Sequence, residues 1–194
     1  LIYYKMKKGQ DSKKIIGFDM DGVILDHTET KLLLAKKFGL KITEKETPSE
    51  IIRNLMPRPV YLKFQIALND NPKFKYLAPP MPGVKTILAR IIKSGVPYFL
   101  ISRRKKAVSA IKILKHHGLW PKYFNKNNAF FVKTPEDKNI KAVELGVTHY
   151  FDDEPRVLEK LVDVKYKLLF DSVDVFKNSG YARVKSWKEV AKLI

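Results

Sequence analysis

Ile15-Ile16-Gly17-Phe18-Asp19-Met20-Asp21-Gly22-Val23-Ile24-Leu25-Asp26 is the stretch from which the fold of this 194-residue chain can be read. A short apolar run with β-branched residues favours a buried central strand, and Gly22 punctuates its exit. Asp19 and Asp21 crowd that exit, one residue apart. In open α/β sheets ligands gather outside the carboxyl ends of the strands, so a reaction centre belongs there. An isolated Asp-x-Asp also suits a solvated surface loop, and the rest of the chain has to decide between the two.

At about 100 to 200 residues per domain, the length predicts one domain with room for a small insertion. Hydrophobic residues at 45% and charged residues at 30% describe a globular chain able to bury a core. No apolar run approaches the roughly 20 residues that cross a bilayer. The opening Leu1-Ile2-Tyr3-Tyr4-Lys5-Met6-Lys7-Lys8 lacks the order of a signal peptide, so a cytoplasmic location is expected, with no membrane partner. Cysteine is absent, which excludes disulfides and thiolate catalysis. The net charge of +18 favours an anionic substrate or a polyanionic partner such as nucleic acid. The lysines are spread along the chain, however, as solvated helix faces would have them.

Outward from the first strand, residues 1–13 form an N-terminal extension of undefined structure. After Asp26 the apolar residues fall at helical spacing through Leu40, and further helices are predicted over residues 48–56 and 60–68, separated by Pro57 and Pro59. Residues 69–82, rich in proline and asparagine, read as a linker returning from this inserted unit. Strand and helix then alternate. Helices are predicted over residues 83–93 and 107–117, strands over 98–101 and 129–132. Thr134-Pro135-Glu136-Asp137 has the cap, the N1 proline and the acidic first turn of another helix, which Gly146 closes. Strands over 148–151 and 167–170 and a terminal helix over 187–194 complete the pattern. This alternation predicts an α/β fold: a Rossmann-like three-layer sandwich with a central parallel sheet, plus a small α-helical unit.

Parallel strands present their carboxyl ends on one edge, and four segments bring polar chemistry there. They deliver Asp19 and Asp21, then Ser102, then a lysine near the helix opening at Lys138, then Asp152 and Asp153. Each residue alone has a bland explanation as a cap or a solvated charge. Their order on one edge is the specific signal.

In these residues the sequence resembles the haloacid dehalogenase-like superfamily of phosphatases. Asp19-Met20-Asp21-Gly22-Val23 after a hydrophobic strand is similar to its first motif, the strand ending at Ser102 to its second, and Lys138 with Phe151-Asp152-Asp153 to its third and fourth. The resemblance covers most of the chain. It implies a Rossmann-like core over residues 14–26 and 82–194, with residues 27–81 as a helical cap inserted after the first motif.

The resemblance also implies the chemistry. Asp19 would attack phosphorus and form an aspartyl phosphate, and Asp21 would protonate the leaving oxygen and then deprotonate the hydrolytic water. Mg²⁺ would be held by the Asp19 carboxylate, the Asp21 backbone carbonyl and the carboxylate of Asp152 or Asp153. Ser102 would donate a hydrogen bond to the transferring phosphoryl, and Lys138 would neutralise charge beside it. Lys133, at a strand end, is the alternative to Lys138. Gly22 would let the backbone turn closely around the phosphate, and Arg103 and Arg104 would meet the substrate near a helix start.

Asp21 favours phosphoester over halide chemistry, since the halide-displacing members do not keep an aspartate there. The expected substrate is a small phosphorylated molecule, possible classes being a nucleotide, a sugar phosphate or a nucleic-acid end phosphate. Tyr61, Phe64, Phe74 and Tyr76 could stack on a base or pack a core. Tyr181-Ala182-Arg183-Val184-Lys185-Ser186-Trp187 is faintly similar to nucleotidase-like members. A phosphomutase and a basic nucleic-acid-binding protein on the same scaffold are the alternatives. A response-regulator receiver domain is disfavoured, because its acidic pair and its phosphorylated aspartate come before the hydroxyl residue and the lysine.

Overall fold

The apolar run before Asp19 forms β1 (Ile16–Phe18), every residue of it buried. It is the third strand of a six-stranded sheet in the computed structural model of the protein, which describes residues 13–104 and 106–194. The other strands are β2 (Tyr98–Ser102), β3 (Ala129–Phe131), β4 (His149–Asp152), β5 (Tyr166–Phe170) and β6 (Ala182–Val184). Their order is β3-β2-β1-β4-β5-β6, and every pairing is parallel. Three helices, α1 (Thr28–Lys37), α2 (Ser49–Ile52) and α3 (Arg58–Asp70), lie between β1 and β2, followed by α4 (Val84–Ser94). Then come α5 (Ala107–His116), α6 (Pro135–Glu144), α7 (Pro155–Lys160) and α8 (Trp187–Val190).

Strand residues alternate between two apolar layers, as the pleat requires. Phe18, Leu100, Leu168 and Phe170 pack with α4, α5 and α8, whereas Ile101, Tyr150 and Leu169 pack with α6 and α7. Helices therefore cover both faces, giving the Rossmann-like α/β architecture expected from the alternation. A third cluster, Leu34, Ala35, Ile52, Met56, Phe64, Leu68 and Phe74, gives the inserted helices a core of their own. Trp187 is fully buried, lies 5.0 Å from the Phe18 ring and donates from Nε1 to the Val23 carbonyl at 2.8 Å. The last helix thus braces the turn that follows β1.

Local chemistry explains where the elements depart from expectation. Pro59 sits in the first turn of α3 instead of separating two helices, because that turn has no use for its missing N–H. Helix α2 stops at Ile52, short of the residue 56 expected, and α8 stops at Val190, short of residue 194. The six-residue α7 and the three-residue edge strand β6 are too short for periodicity to reveal. The extension expected over residues 1–13 lies, apart from Lys13, outside the described residues. No described helix is long and apolar enough to cross a membrane.

Candidate active site

Sheet register assembles the site. Phe18 is paired with Phe151 across β1 and β4, so the next residues, Asp19 and Asp152, emerge side by side. Phe18 is also paired with Leu100 of β2, which brings Ser102 to the same edge. The Asp19 amide donates to the Phe151 carbonyl at 2.9 Å, fixing the start of the turn.

Helix α6 supplies the cation. Thr134 caps it as expected, its Oγ1 accepting from the Asp137 amide at 3.0 Å, and this places Lys138 inside the strand edge. Lys138 Nζ donates to Asp19 Oδ1 at 2.8 Å and to Asp152 Oδ2 at 2.6 Å, with 2% of its side chain exposed. Burial opposes its charge, but Asp152 and Asp19 outweigh that and hold its pKa well above the usual lysine range. Lys133 is exposed, and its side chain makes no ion pair among the described residues.

Asp19, Asp152 and Asp153 each offer a carboxylate oxygen within 4.8 Å of the others. Burial pushes the Asp152 carboxyl up to about 7, Lys138 pulling it down and Asp19 and Glu154 pushing with the burial. Asp153 is raised well above the carboxylate range by burial and by Glu154 and Asp152. Three hard oxygen donors with a surplus of negative charge suit a divalent cation such as Mg²⁺. Gly22 makes room for this cluster: at φ +78°, a Cβ there would lie 2.3 Å from Asp153 Oδ2.

Asp21 faces different partners. His27 Nε2 lies 2.7 Å from its Oδ1, and Arg104 forks onto it, Nε to Oδ2 at 2.7 Å and Nη2 to Oδ1. Burial would favour the neutral acid, but Arg104 and His27 prevail and hold the Asp21 carboxyl well below its ordinary range. Arg104, expected beside the substrate, is instead 6% exposed and turned to Asp21. Arg103 does line the cleft, with Nη2 3.3 Å from Glu154 Oε1. Ser102 is buried at the cleft floor.

The inserted helices roof this cleft of about 660 Å³, a volume that includes its open mouth. Tyr61, Phe64, Gln65, Leu68 and Asn69 line it from one stripe of α3, and Lys31 and Ser49 from α1 and α2. Phe64 belongs mainly to the insertion's core, as does Phe74, while Tyr76 packs on His116. An ion-pair chain ties roof to floor: Arg156 contacts Glu154 and, at 3.1 Å, Glu50 of α2. Sequence reasoning missed His27, Lys31, Glu154 and Arg156. The available signal was the i, i+4 spacing of His27 and Lys31 directly after the first motif.

Comparison with known proteins agrees with this geometry. The family model for 5′ nucleotidase, deoxy (pyrimidine), cytosolic type C protein matches residues 13–194. No curated protein matches the chain. Among solved structures, a conserved haloacid dehalogenase-like protein of unknown function from Agrobacterium tumefaciens is 16% identical, with a TM-score of 0.64 over 93% of this chain and 96% of its own. A hydrolase of the same superfamily from Deinococcus radiodurans, solved with bound phosphate and sodium, is 15% identical, with a TM-score of 0.62 over 94% and 96%. One from Ehrlichia chaffeensis is 10% identical, with a TM-score of 0.61 over 95% and 97%. The chain belongs to the cytosolic type C family of 5′ (deoxy, pyrimidine) nucleotidases, and so is a phosphatase of the haloacid dehalogenase-like superfamily.

Proposed function

We propose that the protein is a Mg²⁺-dependent nucleoside monophosphatase that works through an aspartyl phosphate on Asp19, with residues 27–81 serving as its cap. The observation that carries this reading is the Lys138 ammonium bridging Asp19 and Asp152 at 2.8 and 2.6 Å, at the edge of a three-carboxylate cluster. Asp19, Asp152 and Asp153 are the side chains that would hold the metal, with the Asp21 carbonyl as a backbone ligand. The bound cation would supply electrostatic attraction for a phosphate that three carboxylates otherwise repel.

In the first half-reaction an Asp19 carboxylate oxygen forms a bond to phosphorus as the bond to the ester oxygen breaks, and the leaving oxygen takes up a proton from Asp21. In the second, water attacks phosphorus, gives its proton to the Asp21 carboxylate and releases phosphate with Asp19 restored. Arg104 and His27 favour the ionised Asp21 that this second step uses. Ser102 Oγ–H and the Lys138 ammonium orient the phosphoryl oxygens, a stabilisation of order 10²- to 10³-fold for one well-placed donor.

The family's description points to deoxypyrimidine 5′-monophosphates as the first substrates to assay, and a cytoplasmic location goes with that reading. Purified protein with Mg²⁺ is expected to release phosphate from these nucleotides, and Asp19→Asn to release none. Equal turnover by Asp19→Asn would remove the covalent mechanism. Phosphate transfer between positions of a sugar phosphate, without net release, would identify a mutase instead.

A further inference from the structure

Lys31 is a buried cation for which the chemistry above has no use. It is 7% exposed, and it lies one helical turn beyond His27, whose carbonyl accepts from the Lys31 amide at 2.8 Å. The two side chains therefore share one face of the cap, turned toward the strand ends. His27 spends its Nε2 on Asp21; among the described residues Lys31 Nζ reaches only the hydroxyl of Ser49, at 3.2 Å. Among the described residues Lys31 forms no ion pair, whereas the buried Lys138 and Arg104 both do.

Two cavities meet at this side chain. Lys31, His27 and Asp153 line both the catalytic cleft and a smaller cavity behind it, bounded by Gly22, Thr28, Thr47 and Ser172.

An ammonium held in a buried site against a hydroxyl alone is poorly compensated for the water it has lost. The charges explain what would compensate it. Among the described residues one ammonium, that of Lys138, pairs with this carboxylate set of Asp19, Asp152 and Asp153, at Asp19 and Asp152. A divalent cation would bring this set to neutrality, and a phosphate dianion then enters with its own charge unmatched. Arg104 is spent on Asp21, and Arg103, which lines the cleft, is paired with Glu154.

We infer that Lys31 is a substrate-contacting residue: its ammonium, carried by the cap, binds a phosphate oxygen of the phosphomonoester from the cap side while Lys138 acts from the core. The assignment rests on the phosphatase reading and adds to it.

Calorimetric titration of inorganic phosphate in the presence of Mg²⁺ tests this without turnover, using the wild type, Lys31→Met and Lys31→Arg, each with a thermal melt. Lys31→Met is expected to weaken phosphate binding about tenfold or more while melting within a few degrees of the wild type, the loss normal for a hydrogen bond to a charged group. Lys31→Arg, which keeps the charge, should stay within about threefold. Lys31→Gln carries the same expectation as Lys31→Met should that variant fail to fold. Undiminished phosphate affinity in the neutral variants, or an equal loss in folded Lys31→Arg, would overturn the assignment. A wild type that binds phosphate but hydrolyses no phosphomonoester would refute the proposed function instead, and the titration would still decide Lys31.

Discussion

Replacing Lys138 with methionine isolates what its ammonium does, because the apolar stem is kept while both charge-assisted hydrogen bonds, at 2.8 Å to Asp19 and 2.6 Å to Asp152, are lost. With 2% of the lysine side chain exposed, water cannot replace it without rearrangement. Two buried carboxylates would be left uncompensated, and removing one partner of such a pair costs about 3 to 5 kcal/mol. At about 2 to 4 °C per kcal/mol for a chain of this size, the melting temperature should fall by about 6 to 20 °C. Asp152→Asn added to Lys138→Met should recover part of that loss, because the second change removes a charge the first left unpaired; the cycle then measures the coupling. Phosphate release should fall at least about 10²-fold even where the variant is fully folded. Denaturant titration gives the stability term and a phosphate-release assay the catalytic one. Lys133→Met is the control and should change stability by no more than about 0.5 kcal/mol. A Lys138→Met protein as stable and as active as the wild type, or one matched by Lys133→Met, would refute the reasoning.

Gly22→Ala should lose activity and Mg²⁺ affinity out of proportion to its stability. The left-handed backbone costs about 1 to 2 kcal/mol, but the new Cβ displaces the Asp153 carboxylate, and metal titration of the folded variant would show it. Arg104→Met removes the fork on Asp21, so the Asp21 carboxyl rises from its lowered position, and the acidic limb of the rate–pH profile should move to higher pH with turnover falling about 10- to 100-fold; an unmoved limb counts against Asp21 as the base. Away from the site, burial with Lys14 and Lys165 lowers the His149 imidazole to about 4, where it stacks on Tyr166 at 4.4 Å. The unfolded chain then binds the extra proton, so stability should fall by about 1 kcal/mol, after screening at this half-buried position, as pH drops from about 6.5 to 4. Denaturation midpoints across that range should show a flatter dependence in His149→Gln.

Much of the fold was legible because its signals are local. The apolar run ending at Asp19, the Thr134-Pro135 helix opening and the strand running into Asp152 each announce themselves within a few residues, and their alternation dictates a parallel sheet. The same order brought Asp19, Ser102, Lys138 and Asp152 to one edge, since parallel strands must share the direction of their carboxyl ends. Short elements such as α7 and β6 escaped, because six or three residues carry too little periodicity to separate from a loop.

Partner choice among the charges was settled by tertiary structure. Sequence offers Arg103 and Arg104 as equals, yet strand-end geometry turns Arg104 inward to Asp21 and leaves Arg103 at the cleft with Glu154. Lys133 precedes the α6 cap and stays in solvent, whereas α6 carries Lys138 over the sheet edge. Lys31 reads as one more lysine on a solvated helix, and only the closing of the cap over the core buries it. Electrostatic roles of this kind depend on distance and burial across segments far apart in the chain: 83 residues separate Asp21 from Arg104 and 119 separate Asp19 from Lys138. The sequence by itself determined which chemistry gathers at the strand ends; the packing of cap, sheet and helices decided which charges meet there.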